Sequence, residues 1–325
     1  MKPPLSVIIC TLSRASSLEH CLKSLAAQTF KNFEVIIVDG GSTDKTKEVI
    51  SSYTKKLSIK TVTYKEKELA KVRDQGWRKA QGRLISWIDD DVVVSPDWAK
   101  SIINTFKKDK KIAGATGPTL VPKNLLKNRD VFFLYSQAGF LKIISFIWDK
   151  FFLEGKKYEV GRILKSGAWT PGSNFPSSLK VKGLKEVDYL EACNMTLKKE
   201  LVSRVGGYDY GYKAVAEWCE LDLAMRVKEL GYRLVFNPKI KVAHNISQGG
   251  VFSKRTKAKQ RMENFFKFYF RHIFKPCSGY LFKFILYLVF LNFYWTYKAI
   301  STKNINWLGG WAGTITGLKY VKIKK

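Results

Sequence analysis

The sequence predicts an α/β protein: a mixed, Rossmann-like sheet flanked by helices, followed by an apolar and basic helical region near the C-terminal end. Two observations carry this prediction. Short β-rich apolar runs alternate with segments whose apolar residues recur at helical spacing, as in a doubly wound sheet. One such run, 84–88, ends abruptly in three carboxylates, Asp89, Asp90 and Asp91. In sheets of this kind, ligands bind at the carboxyl ends of the strands.

The first four elements are predicted to be strand, helix, strand and helix. The apolar run 6–10 is typical of a buried parallel strand, and Ser16 and Glu19 have the spacing of a capping box at the start of a helix. The second strand ends in Asp39 and two glycines, which free the backbone for a turn. Asp44 is placed to cap the helix that follows. This order predicts the opening of a right-handed, doubly wound sheet.

A third strand around 59–64 and a helix over 69–81 precede the strand that carries the aspartates. After the aspartates, Ser95 and Pro96 favour the start of another helix, in the N-cap and first-turn positions. A later helix is predicted over 216–231.

Three strands deliver polar groups to one rim of the predicted sheet, because Thr11, Asp39 and the three aspartates all follow strands. Neighbouring carboxylates repel one another, and a divalent metal that holds a phosphate is the most economical way to stabilise them. The alternative is a solvated turn whose aspartates cap helices. The convergence of three strands favours a binding site.

The C-terminal half contains two apolar regions. Residues 124–160 gather bulky apolar and aromatic side chains among lysines, which is typical either of a core helix under a basic surface or of a surface that dips into a membrane interface. Residues 281–300 are nearly all apolar, but the uncharged stretch between Lys283 and Lys298 is shorter than the roughly 20 residues of a simple membrane span. This length favours an interfacial or re-entrant helix over the alternative, a true membrane span.

Charge points to an anionic partner. Lys and Arg total 57 against 27 acidic residues, a formal charge of +30, and aromatic residues make up 14 %. Nucleic acid, an anionic membrane surface and phosphorylated substrates are all compatible with this balance. Five scattered cysteines without a CxxC pair argue against a disulfide framework or a structural zinc site. The first apolar run is too short for a signal peptide, so the catalytic part is expected in the cytoplasm.

Several motifs in a fixed order resemble one known family. They are VIICT at 7–11, QTF at 28–30, FEVIIVDGGSTD at 33–44, AxxRxxG at 70–76, DDD at 89–91, GGYD at 206–209 and EWCELDLxxR at 217–226. Over residues 4–245 this series resembles the family 2 inverting glycosyltransferases of the GT-A fold. The resemblance implies transfer of a sugar from a nucleotide-diphosphate sugar donor to an acceptor hydroxyl.

The resemblance also implies roles in donor binding. Asp39 would hydrogen-bond the base of the nucleotide, and Thr11 would line the same pocket. Arg73 would help to hold the diphosphate, whose oxygens match the guanidinium fork. Asp74 stands where the family often has asparagine, a mild departure. A surface ion pair is the alternative role of Arg73.

The aspartate run matches the DxD motif of this family. By the resemblance, Asp91 would ligate Mg²⁺ or Mn²⁺, Asp89 would contact the ribose or a metal-bound water, and Asp90 would support both. His244 corresponds to a histidine that assists the metal or the diphosphate in some relatives; its alternative is a hydrogen-bonded core residue. The metal would neutralise charge on the departing diphosphate.

The acidic segment at 217–226 would supply the general base. Leu221, Asp222 and Leu223 align with the family's ED-x-D-L segment, which puts Glu220 at the position of the catalytic aspartate. Glu217 lies nearby and is the alternative base. Asp222 would assist catalysis by orienting the helix or the base.

Together these observations predict three regions: a donor-binding half over 1–120, an acceptor-binding half with the base and an apolar insertion over 121–250, and a basic, aromatic, membrane-associated region over 251–325. The basic run 255–261 would close over the diphosphate as a flap or face lipid headgroups. The expected partners are a nucleotide-diphosphate sugar, a glycan or lipid-linked acceptor and an anionic membrane surface, at the cytoplasmic face of the cell membrane.

Two rival functions have less support. A processive polysaccharide synthase would show a QxxRW signature and several membrane spans, and the sequence shows neither. A non-catalytic basic protein that binds membrane or nucleic acid fits the charge, but no nucleic-acid-binding module is recognisable, so no nucleic acid partner is expected.

Overall fold

The computed structural model of the chain describes residues 2–66, 68–122, 140–214, 217–246 and 257–321. Thirteen strands lie in these ranges: β1 Leu5–Thr11, β2 Phe33–Asp39, β3 Ser58–Thr63, β4 Leu84–Asp89, β5 Val92–Val94, β6 Ile112–Thr116, β7 Thr119–Leu120, β8 Val160–Ile163, β9 Trp169–Pro171, β10 Lys185–Glu186, β11 Asn194–Lys198, β12 Arg233–Phe236 and β13 Val242–His244.

The α-helices of the same ranges are α1 Ala15–Ala26, α2 Thr46–Tyr53, α3 Leu69–Lys79, α4 Trp98–Lys108, α5 Phe140–Ile147, α6 Lys199–Arg204, α7 Cys219–Lys228, α8 Ala258–Phe268, α9 Ser278–Ser301 and α10 Gly309–Gly317. One π-helical turn, Trp148–Phe152, extends α5, and another, Tyr269–Ile273, extends α8.

The main sheet has eight strands in the order β10-β12-β6-β11-β4-β1-β2-β3. The strands β4, β1, β2 and β3 are parallel, whereas β11 runs antiparallel between β4 and β6. In the register of these strands, Thr11 is opposite Asp39, and Cys10 is opposite Asp89. The predicted α/β class and mixed sheet are confirmed, and the three predicted strand ends meet at one edge.

Side chains of the central strands alternate between two cores. Val7 and Ile9 of β1 pack on one side of the sheet with α1 and α4, whereas Ile8 packs on the other side with α3 and α7. Strands buried on both faces in this way are nearly continuous apolar runs, which is why β1, β2 and β4 could be recognised in the sequence.

Two predicted helix starts were wrong. Helix α1 begins at Ala15, so Ser16 lies inside the helix and does not cap it. The first amide of α1, Ala15 N, donates to Asp44 Oδ2 of the loop after β2 at 2.8 Å. Asp44 Oδ1 also accepts from Thr46 N, the first residue of α2, at 3.1 Å, although the N-cap position of α2 is occupied by Lys45. Helix α4 begins at Trp98, not at Ser95, because Ser95 is used in a preceding turn in which its carbonyl accepts from Trp98 N.

The C-terminal elements form a third core of aromatic side chains. Tyr269 stacks on Phe284 of α9 with 4.0 Å between ring centroids, and Trp295 of α9 stacks on Trp307 at 5.3 Å. Phe152 contacts α9 as well, at 5.1 Å from Tyr287. This core joins α8, α9, α10 and the turn after α5 into one unit.

Helix α9 has 24 residues and is long and apolar enough to cross a membrane, by length and composition alone. Only 22 % of its apolar window is buried within the described part of the protein. The division of the chain into the three regions 1–120, 121–250 and 251–325 stays a prediction from the sequence.

Candidate active site

The three aspartates lie at the turn from β4 to β5. Asp90 and Asp91 are buried, and both pair with Arg14 from the loop between β1 and α1. Arg14 Nη1 is 2.7 Å from Asp90 Oδ1, and Arg14 Nη2 is 2.5 Å from Asp91 Oδ2. Thr11 Oγ1 donates to Asp90 Oδ2 at 2.7 Å. Thr11 therefore supports the aspartate turn.

Burial raises the pKa of Asp90 to about 7, an effect that Arg14 opposes and the neighbouring charge of Asp91 reinforces. A carboxylate that is both enclosed and next to like charges holds its proton more tightly than one in water.

His244 joins this cluster from β13. The end of β13 is fixed by antiparallel pairing of His244 with Val92 of β5 and by a hydrogen bond from Asn245 N to Asp91 O at 2.9 Å. His244 Nε2 is 3.1 Å from Asp91 Oδ1, and His244 Nδ1 is 3.4 Å from Cys193 Sγ.

The donor atoms fit a divalent cation. Those of Asp89, Cys193 and His244 lie within 4.8 Å of one another, and Asp91 Oδ1 is beside the imidazole. Carboxylate oxygens and an imidazole suit Mg²⁺ or Mn²⁺, and a thiol adds affinity for softer metals. Asp89, Asp91 and His244 are thus together, as the sequence predicted.

Asp39 is fixed at the end of β2. Its Oδ1 accepts from Gly41 N at 3.1 Å, from Ser42 N at 2.8 Å and from Ser42 Oγ at 2.6 Å. Among the described residues no hydrogen bond uses Oδ2, so the carboxylate is oriented through one oxygen only. Gly41 has φ +93°, a conformation that this tight turn requires and that glycine adopts without strain.

Arg73 links the aspartate turn to α7, the helix that carries Glu220. It lies on α3 and is buried; Nη2 is 3.1 Å from Asp89 Oδ1, and Nη1 pairs with Glu220. Its role as a plain surface ion pair is thereby excluded. The next residue, Asp74, is fully buried and accepts from Tyr208 N at 3.1 Å and from Tyr210 Oη at 2.6 Å, so it attaches α3 to the loop before α7.

The two candidate bases have different partners. Glu220, in the first turn of α7, is buried against Arg73, whereas Glu217 Oε2 accepts from Arg261 Nε of α8 at 2.6 Å. Trp218, between them, has a left-handed backbone with φ 79° and packs on Phe265 with 5.2 Å between ring centroids. A non-glycine residue in this conformation is held there by its surroundings.

Asp222 is fully buried and surrounded by donors. Tyr212 Oη, His272 Nε2 and Arg271 Nη1 reach Oδ1 at 3.2, 2.9 and 3.1 Å, and Arg226 Nε reaches Oδ2 at 2.8 Å. Burial opposes its ionisation, but the bonds from His272 and Arg226 lower the pKa of Asp222 below its usual range. Its place fits the predicted orienting role.

A cavity of about 310 Å³ adjoins these groups. Arg73, Asp89, Glu217, Glu220 and His244 line one part of it. Thr11, Asp39 and Asp222 are outside the lining formed by the described residues.

Sequence reasoning did not assign Arg14 or Cys193 to the aspartate cluster, and it placed Arg261 only within the basic run 255–261. Arg14 follows β1 at the same rim as Thr11, and that position was an available signal. The contacts of Cys193 with His244 and of Arg261 with Glu217 depend on packing between distant segments, which the sequence does not show. Of the predicted basic flap 255–261, residues 255 and 256 lie outside the described ranges, and Arg261 contacts Glu217.

The fold is the GT-A fold of glycosyltransferases. A mannosyltransferase from Pyrobaculum calidifontis, PcManGT, solved in complex with GDP-Man and Mn²⁺, superposes with a TM-score of 0.57 at 16 % sequence identity, covering 100 % of this chain and 89 % of that one. At this identity the likeness concerns the fold.

Sequence comparison identifies glycosyltransferases that are similar to parts of this chain. Residues 6–154 match the family model "Glycosyl transferase family 2". A validoxylamine A glucosyltransferase from Streptomyces hygroscopicus subsp. jinggangensis is 38 % identical over 105 residues, which cover 31 % of this chain and only 25 % of the relative. A glucosyl-dolichyl phosphate glucuronosyltransferase from Haloferax volcanii is 24 % identical over 253 residues, 74 % of this chain and 69 % of the relative. The chain is thus similar to glycosyl transferase family 2 over residues 6–154, a little less than half of its length.

Proposed function

We propose that the chain transfers a sugar from a nucleotide-diphosphate sugar to an acceptor hydroxyl, with inversion at the anomeric carbon. One observation carries the proposal: buried Arg73 connects Asp89 of the aspartate turn to Glu220. A donor-side group and a candidate base therefore face the same cavity.

On the donor side, Asp39 Oδ2 accepts a hydrogen bond from the nucleobase, and Arg73 binds diphosphate oxygens through its guanidinium fork. Asp91, Asp89 and His244 hold a divalent cation, Mg²⁺ or Mn²⁺. When bound, the cation neutralises charge that develops on the leaving diphosphate. The GDP-Man and Mn²⁺ bound to PcManGT support this assignment.

On the acceptor side, Glu220 takes the proton of the acceptor hydroxyl as its oxygen attacks the anomeric carbon. The bond from that carbon to the diphosphate breaks in the same displacement, so the configuration inverts. Glu217 is the weaker candidate, because its partner is Arg261 of α8, whereas Glu220 pairs with Arg73, which also contacts Asp89 of the aspartate turn. A positioned general base contributes about 10² to 10⁴ in rate.

The acceptor is a lipid-linked or surface glycan, and the protein works at the cytoplasmic face of the cell membrane. The Haloferax volcanii relative is named for a dolichyl phosphate acceptor, and its match extends over most of this chain. The net charge of +30 and the apolar surface of α9 support attraction to anionic lipid.

Calorimetric titration with a panel of nucleotide diphosphates, with and without Mn²⁺, tests the donor site. Wild type should bind one nucleotide more tightly when Mn²⁺ is present. In Asp91→Asn, Mn²⁺ should no longer strengthen nucleotide binding. A well-folded protein that binds none of them would contradict the proposal.

A further inference from the structure

The cavity beside Glu220 has two chemically different ends. Carboxylates and Arg73 line the end at the aspartate turn, whereas the other end is aromatic and aliphatic. The aromatic end is lined by Trp148, Phe265, Tyr287, Phe290, Leu291 and Trp295. An apolar wall of this kind favours an apolar ligand, since a free glycan would leave most of its hydroxyls there without hydrogen-bond partners.

Helix α9 is the wall between this cavity and the outside. Its inward positions Tyr287, Phe290, Leu291, Tyr294 and Trp295 follow helical spacing and line the cavity. Its outward positions follow the same spacing on the opposite face and are apolar too. They are Phe282, Ile285, Leu286, Val289 and Phe293, each 40–65 % exposed. A helix that is apolar on both faces separates two apolar media.

A half-buried cation lies where the two ends of the cavity meet. Arg261 of α8 donates from Nε to Glu217 Oε2, and its guanidinium lies 4.7 Å from the ring centroid of Trp295. Its side chain is only 14 % exposed. A guanidinium between a polar and an apolar compartment can recognise the phosphate of an amphipathic molecule whose chain continues along the aromatic wall.

We propose that this cavity is the acceptor site for an alkyl or isoprenoid phosphate carrying the acceptor sugar. The chain packs against the inward face of α9, the phosphate is bound by Arg261, and the sugar hydroxyl lies at Glu220. This inference rests on the proposed glycosyl transfer to a lipid-linked acceptor, and it adds the cavity that binds the lipid chain and the residue that recognises the phosphate.

The binding test uses the full chain and 11-bromoundecyl phosphate below its micellar concentration. Trp148, Trp218 and Trp295 line the cavity, and bromine quenches tryptophan fluorescence on contact. We expect saturable quenching in wild type and at least about tenfold weaker binding in Arg261→Gln. Lys47→Gln, which removes one exposed charge on α2, should bind like wild type. The uncharged 11-bromoundecanol should bind at least about tenfold more weakly than the alkyl phosphate. Inorganic phosphate, whose binding is measured by competition with the alkyl phosphate, should also bind at least about tenfold more weakly.

Three outcomes would overturn the proposal. Equal binding of the alcohol would mean that apolar contact alone acts, and competition by inorganic phosphate at equal affinity would identify a free-anion site. Unchanged binding in folded Arg261→Gln would remove Arg261 from the site. The calorimetric nucleotide titration is independent: nucleotide binding without alkyl phosphate binding would refute only this inference, and the reverse would refute the proposed donor site.

Discussion

At the scale of single residues, Glu220 and Glu217 are separated by their partners. Glu220 pairs with Arg73, which also contacts Asp89, whereas Glu217 pairs with Arg261. We expect Glu220→Gln to bind the nucleotide like wild type but to transfer the sugar about 10² to 10⁴ times more slowly, because the amide cannot accept the proton. Hydrolysis of the donor under single-turnover conditions, in which water replaces the acceptor hydroxyl as nucleophile, measures the rate, and calorimetry measures the binding.

Glu217→Gln is the matched control, since it makes the same chemical change three positions away. It should slow the reaction much less than Glu220→Gln. If the two variants exchanged these phenotypes, Glu217 would be the base. If Glu220→Gln lost donor binding as fully as Asp91→Asn, the proposed division of roles would be wrong.

Asp90 makes the stability of the metal-free protein depend on pH. Its pKa is raised from 3.8 to about 7 in the folded protein, so folding favours the protonated carboxyl. Its contribution to the free energy of unfolding is complete below the ordinary pKa and is lost as the pH rises through about 7. As the pH rises from about 4 to about 8, wild type should lose this contribution, whereas Asp90→Asn should not. The free energy of unfolding of Asp90→Asn should therefore rise by on the order of 3 kcal/mol relative to that of wild type.

Urea unfolding across this pH range, with a chelator present, measures the difference. Asp97→Asn removes an exposed carboxylate near the start of α4 and controls for the loss of one charge. Parallel pH profiles of wild type and Asp90→Asn would contradict the assignment.

The sequence located those site residues that depend on strand ends. Asp39 and Asp89 lie at the same edge of the sheet because the carboxyl ends of parallel strands lie at one edge. Arg73 and Glu220 followed from ordered motifs. Their direct pairing could not be predicted, because it depends on how α3 and α7 pack across the sheet.

At the scale of elements, Gly76 sets the distance between α3 and the sheet. A Cβ at this position would lie 2.4 Å from Ile8 Cγ2 of β1 and 3.2 Å from Val38 Cγ2 of β2. Gly76→Ala should therefore reduce the free energy of unfolding by about 1–3 kcal/mol, although alanine favours the helix intrinsically by about 1 kcal/mol. Urea unfolding measures the change.

Lys79→Ala on the exposed side of α3 is the control, and it should leave the stability nearly unchanged. Arg73 lies one turn before Gly76, so the displaced helix should also bind nucleotide diphosphate more weakly. A Gly76→Ala protein as stable as wild type would mean that α3 can move without strain.

Periodicity predicted the elements better than their ends. The apolar alternation located β1, β2 and β4, but the start of α1 depends on Asp44, which is far away in the sequence. The apolar helix predicted over 281–300 extends to 24 residues, Ser278–Ser301, and includes Lys283, which pairs with Glu154, and Lys298, which lies over the ring of Trp307. Both lysines, which limit the uncharged stretch in the sequence, therefore have tertiary partners and lie within the helix.

At the scale of the whole molecule, we expect the positive charge and the apolar surface of α9 to bind the same partner, an anionic lipid surface. The chain carries +30, and exposed Lys275 and Lys303 flank the outward apolar face of α9. Lysines at both ends of an exposed apolar helix favour binding parallel to an anionic lipid surface. Nucleic acid would use the charge but leave the apolar face in water.

Vesicle sedimentation separates these partners. With about one third phosphatidylserine in phosphatidylcholine, binding should weaken as NaCl rises from about 0.1 M to about 0.5 M but persist in part, because apolar burial is not screened. Val289→Asp with Phe293→Asp should reduce binding at least about tenfold, since each outward side chain contributes about 1.5–3 kcal/mol when buried. Leu230→Asp, at an exposed leucine beyond α7, is the control and should bind as wild type does. Complete loss of binding at high salt in wild type, together with equally salt-sensitive binding of DNA, would mean that charge alone acts and that α9 does not enter the lipid.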